Sequence, residues 1–236
     1  PSDDLPAGPL YWRVCYLEEQ QNCSATWEFF SGMAPHDANG DGYSDILVTA
    51  DCNDNSYLFF GDGSLSGPID KEDADVVFQS SIPSLQCSLH GDMDGDGLSE
   101  VVIKVFDDCN ENKIRICTGR EEWPDTIDID ESCHAIKRAQ GTDDCVDFGD
   151  YPANNQDIDL DGRHDLVAGN APENTTAQYG GIVHLFLSGS GGILEREWYD
   201  QADFVIKGDT YAQVLHAKEF VGDMNGDGYP ELLLSS

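Results

Sequence analysis

Hydrophobic residues along this chain come in short bursts separated by polar, glycine-rich stretches. The bursts are Ile46-Leu47-Val48, Tyr57-Leu58-Phe59-Phe60, Val101-Val102-Ile103, 182–187 (IVHLFL) and Leu232-Leu233-Leu234. Runs this brief, rich in branched and aromatic side chains and bounded by turn formers, predict buried β-strands; an amphipathic helix needs roughly ten residues or more of 3.6-residue periodicity. No apolar run nears the ~20 residues of a membrane helix. The pattern predicts an all-β chain, read as a single domain over residues 1–236 with no membrane span.

Composition narrows the partners. Against 46 Asp and Glu stand only 12 Lys and Arg, a formal charge of −34 in 236 residues. Nucleic acids and anionic membrane surfaces need a basic face, so neither is an expected partner. The 39% of apolar residues suffices for a core, and 24 glycines with 10 prolines imply many turns. Eight cysteines, none in a CxxC pair, point to disulfides and an oxidising compartment rather than to zinc. With neither an initiator Met nor a signal peptide, the sequence reads as a mature or trimmed secreted or cell-surface protein. Asn22-Cys-Ser and Asn174-Thr-Thr are glycosylation acceptors in a host that glycosylates.

Between the bursts lies one nonapeptide written four times: DANGDGYSD (37–45), DMDGDGLSE (92–100), DIDLDGRHD (157–165) and DMNGDGYPE (223–231), with starts 55, 65 and 66 residues apart. First places are Asp37, Asp92, Asp157 and Asp223. Third places are Asn39, Asp94, Asp159 and Asn225, and fifth places Asp41, Asp96, Asp161 and Asp227. Glycine follows at the sixth, and Asp45, Glu100, Asp165 and Glu231 close the loops. Calcium takes six to eight oxygens, and alternate side chains on a tight loop can converge on one ion. The seventh-place carbonyls of Tyr43, Leu98, Arg163 and Tyr229 are expected to supply a further oxygen, and the ninth-place carboxylates to close the cage. About four calcium ions are therefore expected. An EF-hand is excluded, since its twelfth-place Glu is replaced by Val48, Ile103, Ala168 and Leu234. Dockerin pairs and thrombospondin-type arrays space their loops far more closely.

A calcium loop of this form, feeding a buried strand and recurring about every sixty residues, resembles the FG-GAP repeats of integrin α-chain propellers and related secreted repeats of the VCBS type. Phe148-Gly149 matches the name-giving dipeptide, Phe29-Phe30 takes that place in the first repeat, and Ala171-Pro172 matches the GAP end. The resemblance implies a β-propeller with blades of four antiparallel strands, innermost first. The first blade is then Ser31–His36, Ile46–Thr49, Ser56–Phe60 and Asp75–Gln79. The second is Gln86–Gly91, Val101–Val105, Lys113–Cys117 and His134–Lys137. The third is Val146–Asp150, Leu166–Ala168, Ile182–Leu187 and Phe204–Lys207. The fourth begins with Lys218–Gly222 and Glu231–Leu234. An early strand, Tyr11–Leu17, is expected to complete that last blade; Ala25–Phe29 lies too close to Asp37 to add another. Four repeats fit a four-bladed ring with an incomplete seam or part of a larger, commonly seven-bladed, propeller, and both remain open.

The same blade map implies disulfides. Asp51-Cys52-Asn53-Asp54-Asn55 matches Asp108-Cys109-Asn110-Glu111-Asn112, and CSLHGD (87–92) matches CVDFGD (145–150). In a propeller these segments meet on one face, so Cys52–Cys87 and Cys109–Cys145 are expected as equivalent staples, with Cys15–Cys23 and Cys117–Cys133 closing locally. The loops carrying Asp51, Asn53, Asp54, Asn55, Asp108, Asn110, Glu111 and Asn112, with 170–174, would lie opposite the calcium loops and form a partner-binding mouth.

Fourteen of the 46 acids sit in the four loops, and four calcium ions would bring the charge from −34 to −26. The six histidines are scattered, and no nucleophile elbow, metalloprotease helix or phosphate loop is present. Trp12, Trp27, Trp123 and Trp198 are read as blade packing. No enzyme is expected. The expected function is a secreted, calcium-binding adhesion, protein-recognition or surface-assembly module, with protein or glycan surfaces as partners and self-assembly open. The alternative is a glycan-binding lectin or a non-catalytic domain of a carbohydrate-active enzyme.

Overall fold

The structure, a computed structural model, describes residues 8–12, 27–31, 34, 36–49, 55–63, 65–81, 85–105, 113–137, 146–150, 156–172, 181–189, 192–208 and 216–235. It is mostly β. The strands are β1 Gly8–Trp12, β2 Trp27–Ser31, β3 Ile46–Thr49, β4 Ser56–Phe59, β5 Val76–Gln79, β6 Leu85–Leu89, β7 Val101–Val105, β8 Lys113–Cys117 and β9 Thr126–Asp128. After a single helical turn, α1 Ile129–Ser132, follow β10 His134–Lys137, β11 Val146–Asp150, β12 Leu166–Pro172, β13 Ile182–Phe186, β14 Phe204–Lys207, β15 His216–Phe220 and β16 Leu232–Ser235. No helix among the described residues is long and apolar enough to cross a membrane.

Three sheets have four strands each, ordered β3-β4-β5-β9, β6-β7-β8-β10 and β11-β12-β13-β14, and β15-β16 is a two-stranded start of a fourth. In the second, third and last of these sheets an acidic loop joins the first strand to the second, and after every loop the apolar burst becomes the next strand: β3, β7, β12 or β16. Consecutive sheets pack face to face. Leu47, Leu58 and Phe78 of the first meet Val101, Ile103 and Val105 of the second. Val102, Ile114 and Ile116 meet Leu166, Ala168 and Phe186 of the third. Val167 and Val183 meet Phe220 and Leu232 of the last. Every residue of β7 and β8 is buried, because both faces of the second sheet are covered. Burying a Val, Leu, Ile or Phe side chain contributes about 1.5–3 kcal/mol, so these three seams carry most of the stabilisation.

The first sheet departs from expectation. The inner strand expected over Ser31–His36 does not form at its described residues: Ser31 ends β2, which pairs with β1, and 34 and 36 lie outside any strand. Its fourth strand joins the opposite edge, where β9 pairs parallel with β5 and Val77 N–H donates to Asp125 O at 2.9 Å. The same device joins the next pair of sheets, Lys137 bridging in parallel to Trp198 and donating to Glu197 O at 2.7 Å. Of the early strand expected over Tyr11–Leu17, only Tyr11 and Trp12 lie among the described residues; they belong to β1, which pairs with β2, and β15-β16 has two strands among the described residues. Tryptophan Trp123 packs as expected, edge-on to Phe78 at 5.7 Å and donating Nε1–H to Ala38 O.

An unexpected clamp recurs before each outer strand. Asp75 accepts the Phe60 N–H and Asp203 the Leu187 N–H, at 2.7 and 2.8 Å. In the second sheet the corresponding place is Cys133, and the Cys117–Cys133 disulfide does the tying instead. That bridge matches expectation. Cys52–Cys87 does not: Cys87 carries a free, half-buried thiol with Ser56 Oγ 2.8 Å from its Sγ, the hydroxyls of Ser56 and Thr49 filling the space where a bridge was expected. Cys52 itself, and the pairs Cys15–Cys23 and Cys109–Cys145, lie outside the described residues.

Candidate metal centres

All four acidic loops adopt one hydrogen-bonded form. The first-place carboxylate accepts two or three backbone N–H groups from inside its own turn: Gly40 and Gly42 on Asp37, Gly95 and Gly97 on Asp92, Asp161 and Gly162 on Asp157, and Gly226, Asp227 and Gly228 on Asp223. The fifth-place carboxylate caps the seventh N–H, as Asp41 does for Tyr43, Asp96 for Leu98, Asp161 for Arg163 and Asp227 for Tyr229. The ninth-place carboxylate reaches back to the second N–H: Asp45 to Ala38, Glu100 to Met93, Asp165 to Ile158 and Glu231 to Met224. The sixth residue is glycine each time because its φ is left-handed, 88° at Gly42, 92° at Gly97, 94° at Gly162 and 96° at Gly228.

These bonds leave oxygens for a cation. A carboxylate oxygen has two lone-pair sites, so an oxygen that accepts one N–H keeps another free. In three loops one ligand atom from each of three carboxylates lies within 4.8 Å of the others: Asp92, Asp94 and Asp96; Asp157, Asp159 and Asp165; Asp223, Asp227 and Glu231. Such a set of hard oxygens suits calcium-type ions. The first loop is not among these groups. There the third place is Asn39, which turns its Nδ2 towards Asp41 at 3.0 Å. The seventh-place residues Tyr43, Leu98, Arg163 and Tyr229 follow the capped fifth place in every loop.

Crowding of like charge shows in the ionisation. Burial first, then neighbouring carboxylates, pushes Asp45, Asp96 and Asp165 up to about 6 and Glu100 up to about 9. Asp92 and Asp159 are raised for the same reasons. A bound divalent cation reverses that preference by favouring the charged form.

The loops are also linked to one another. Ser99 N–H, in the eighth place of the second loop, donates to Asp37 O of the first at 2.7 Å, and His164 N–H of the third donates to Asp92 O of the second at 2.7 Å. Seventh-place side chains cover the fourth-place glycine of the loop before, Leu98 over Gly40 and Arg163 over Gly95. Both devices stop at the fourth loop, where the eighth place is Pro230, which has no N–H, and the fourth place of the third loop is Leu160 at φ 61°. Between these two loops a cleft of about 330 Å³ opens, lined by Asp157, Leu160, His164, Asp223, Gly228 and Pro230.

The ninth carboxylate has a second partner that the sequence did not announce. Asp45, Glu100 and Asp165 each accept an N–H from the second residue beyond β4, β8 or β13: Gly61, Gly119 and Ser188. The recurring small residue after that strand was the available signal. Among the described residues no third strand lies beside Glu231, which instead takes Asn225 Nδ2 at 2.7 Å. Of the expected partner-binding residues, Asn55 is described and half-buried just before β4. Asp51, Asn53, Asp54, Asp108, Asn110, Glu111 and Asn112 lie outside the described residues.

The described histidines sit in separate surroundings, apart from His36 and His164, whose charges act on each other. His36 is exposed, His90 sits 2.8 Å from Ser88 Oγ, His134 meets Arg196 O, and His164 lies over Gly91. Burial, with the charge of Lys207, pushes His184 down to about 4 in a stack between Phe186 and Tyr199.

Comparison with protein-family models, curated proteins and solved structures returns no match. What the loops do rests on their own chemistry.

Proposed function

We propose that the chain is a calcium-binding β-propeller module of the FG-GAP type, working outside the cell as an adhesion, protein-recognition or surface-assembly element. The observation that carries this is the common fold of the four acidic loops, three of which bring carboxylate oxygens from three residues within 4.8 Å. Successive sheets packed face to face, each containing a strand fed by such a loop, support this reading. The cations hold together loops that otherwise set three or four carboxylates against one another. Extracellular sites of this kind work at Kd near ~10⁻⁴–10⁻³ M because ambient calcium is high.

Isothermal titration of the chelator-treated protein tests the metal: about four calcium ions per chain are expected, and no heat at millimolar calcium would sink the proposal. Binding to protein surfaces is tested by a glycan array run beside adhesion to immobilised proteins. Reproducible capture of one sugar class alone would replace protein recognition by the lectin alternative.

A further inference from the structure

Two Asn-Gly steps occur in the chain, Asn39-Gly40 and Asn225-Gly226, and both fill the third and fourth places of an acidic loop. Asn-Gly is the step most prone to spontaneous deamidation, because glycine has no side chain to shield its backbone nitrogen. That nitrogen gives up its proton to solvent and bonds Cγ of the asparagine; the Cγ–Nδ2 bond breaks and Nδ2 leaves as ammonia. Water then opens the cyclic imide at one carbonyl or the other, leaving aspartate or isoaspartate. The second and third loops have no amide to lose, their third places being Asp94 and Asp159.

In both loops the reacting groups are tied up. The attacking nitrogen is engaged first: Gly40 N–H donates to Asp37 Oδ1 and Gly226 N–H to Asp223 Oδ1, each at 2.6 Å. The amide is engaged next. Asn39 Oδ1 accepts the Asp41 N–H, and its Nδ2 donates to Asp41 Oδ2. Asn225 does the same with Asp227, and its Nδ2 also reaches Glu231 Oε1 at 2.7 Å. The nitrogen thus keeps its proton, and the amide is held towards the residue beyond it. We propose that Asn39 and Asn225 are deamidation sites that the closed loop locks and an opened loop releases. The carboxylates of the lock, on Asp37, Asp41, Asp223, Asp227 and Glu231, are also the candidate cation ligands, so loss of the cation and loss of the amide are coupled. Conversion to aspartate gives the loop the third-place carboxylate that Asp94 and Asp159 supply elsewhere. Isoaspartate adds a methylene to the backbone, and alternate side chains then no longer converge on one ion. Both events together take the formal charge from −34 to −36 and mark chains whose loops have stood open.

Peptide mapping by mass spectrometry at neutral pH follows conversion at each asparagine in three samples of the full chain: in calcium, in EDTA and unfolded in urea. The unfolded chain is expected to convert fastest and the calcium-loaded chain slowest. At about 2 mM calcium and Kd near ~10⁻⁴ M the open loop is roughly twentyfold rarer than in EDTA, so conversion should slow about twentyfold. Asp41→Ala, compared with the wild type in EDTA, removes the side-chain acceptor from Asn39 alone. Asn39 is then expected to convert faster, while Asn225 in the same molecule keeps its rate. Asp41 is exposed, so the change empties no core, and circular dichroism checks the fold. A native chain that converts as fast as the unfolded one, no conversion in either, or an unchanged Asn39 rate in the variant would overturn the inference. Equal rates in calcium and EDTA would overturn the coupling to the cation where titration heats show binding. Where they show none, the calcium reading itself has failed, and the lock stands or falls on the native-versus-unfolded comparison.

Discussion

The second and fourth acidic loops share a grammar and differ in surroundings. In the second, Asp92 and Glu100 are buried, the loop hydrogen-bonds to both neighbours, and Glu100 is tied to the strand end at Gly119. In the fourth, residues 223–229 are exposed, Pro230 offers no N–H, and the Glu231 carboxylate accepts from Met224 and Asn225 of its own loop. Identical local chemistry is thus either built into the core or hung at its edge, depending on whether a sheet follows and a loop stacks. Isolated carboxylates tolerate exposure well. Buried ones that accept backbone N–H groups become part of the fold.

Removing the cations should have the largest effect and tests both loops at once. At about 2 mM calcium and Kd near ~10⁻⁴ M each site adds about 2 kcal/mol, so four sites raise Tm on the order of 15–30 °C for a chain this long. Scanning calorimetry with and without EDTA measures this; an unchanged Tm would remove the distinction along with the metal. Next, Glu100→Ala strips two buried N–H groups of their acceptor and should cost about 2–4 kcal/mol in urea denaturation. Glu231→Ala should cost under about 1 kcal/mol in the same assay. Equal costs would mean that burial does not separate the loops.

Acidity offers a subtler probe. Raised carboxylates favour the folded state while protonated, a stabilisation complete below their unfolded values near pH 4. It is lost as pH rises through about 6 for Asp45, Asp96 and Asp165 and through about 9 for Glu100. In EDTA, Tm should therefore rise as pH falls from 9 to 5. In calcium it should fall over the lower part of that range, because protons displace the cation. Parallel curves in both buffers would argue against ligation by these groups. The smallest effect belongs to Pro230→Ser, which restores the N–H that Ser99 supplies in the second loop. The new hydrogen bond, about 1 kcal/mol, is offset by lost rigidity of the unfolded chain, so net stability shifts by under about 1 kcal/mol. Hydrogen exchange at the new amide reports whether it finds Asp157 O, and protection no better than in a free peptide would show that the seam stays open.

Much of this was legible because it is local. The nonapeptide spacing sets donors and glycines within nine residues, and the bursts that follow became β3, β7 and β16 within a residue of expectation, while β12 starts at the expected Leu166 and runs four residues further, to Pro172. Cys117–Cys133 spans one strand pairing and was equally readable. What escaped depends on distant segments. The parallel pairing of β9 with β5, and of Trp198 with Lys137, joins residues whose own periodicity says nothing about their partner. Cys87 was assigned to a staple by analogy between repeats, but the hydroxyls of Thr49 and Ser56 settle its surroundings. The Ala74-Asp75 and Ala202-Asp203 clamps were visible as a repeat only once Cys133 was seen in the third such place.

The crossing strand β9 has a consequence for synthesis. Because it is made roughly fifty residues after β5, the nascent first sheet waits on the order of 3–10 s at ordinary elongation rates before its outer border is sealed. During that interval Val77 and its neighbours present a sticky backbone rim to any passing polypeptide. Chaperone demand should accordingly peak while the ribosome decodes the stretch that ends at Asp128, and ease as soon as that stretch clears the exit tunnel.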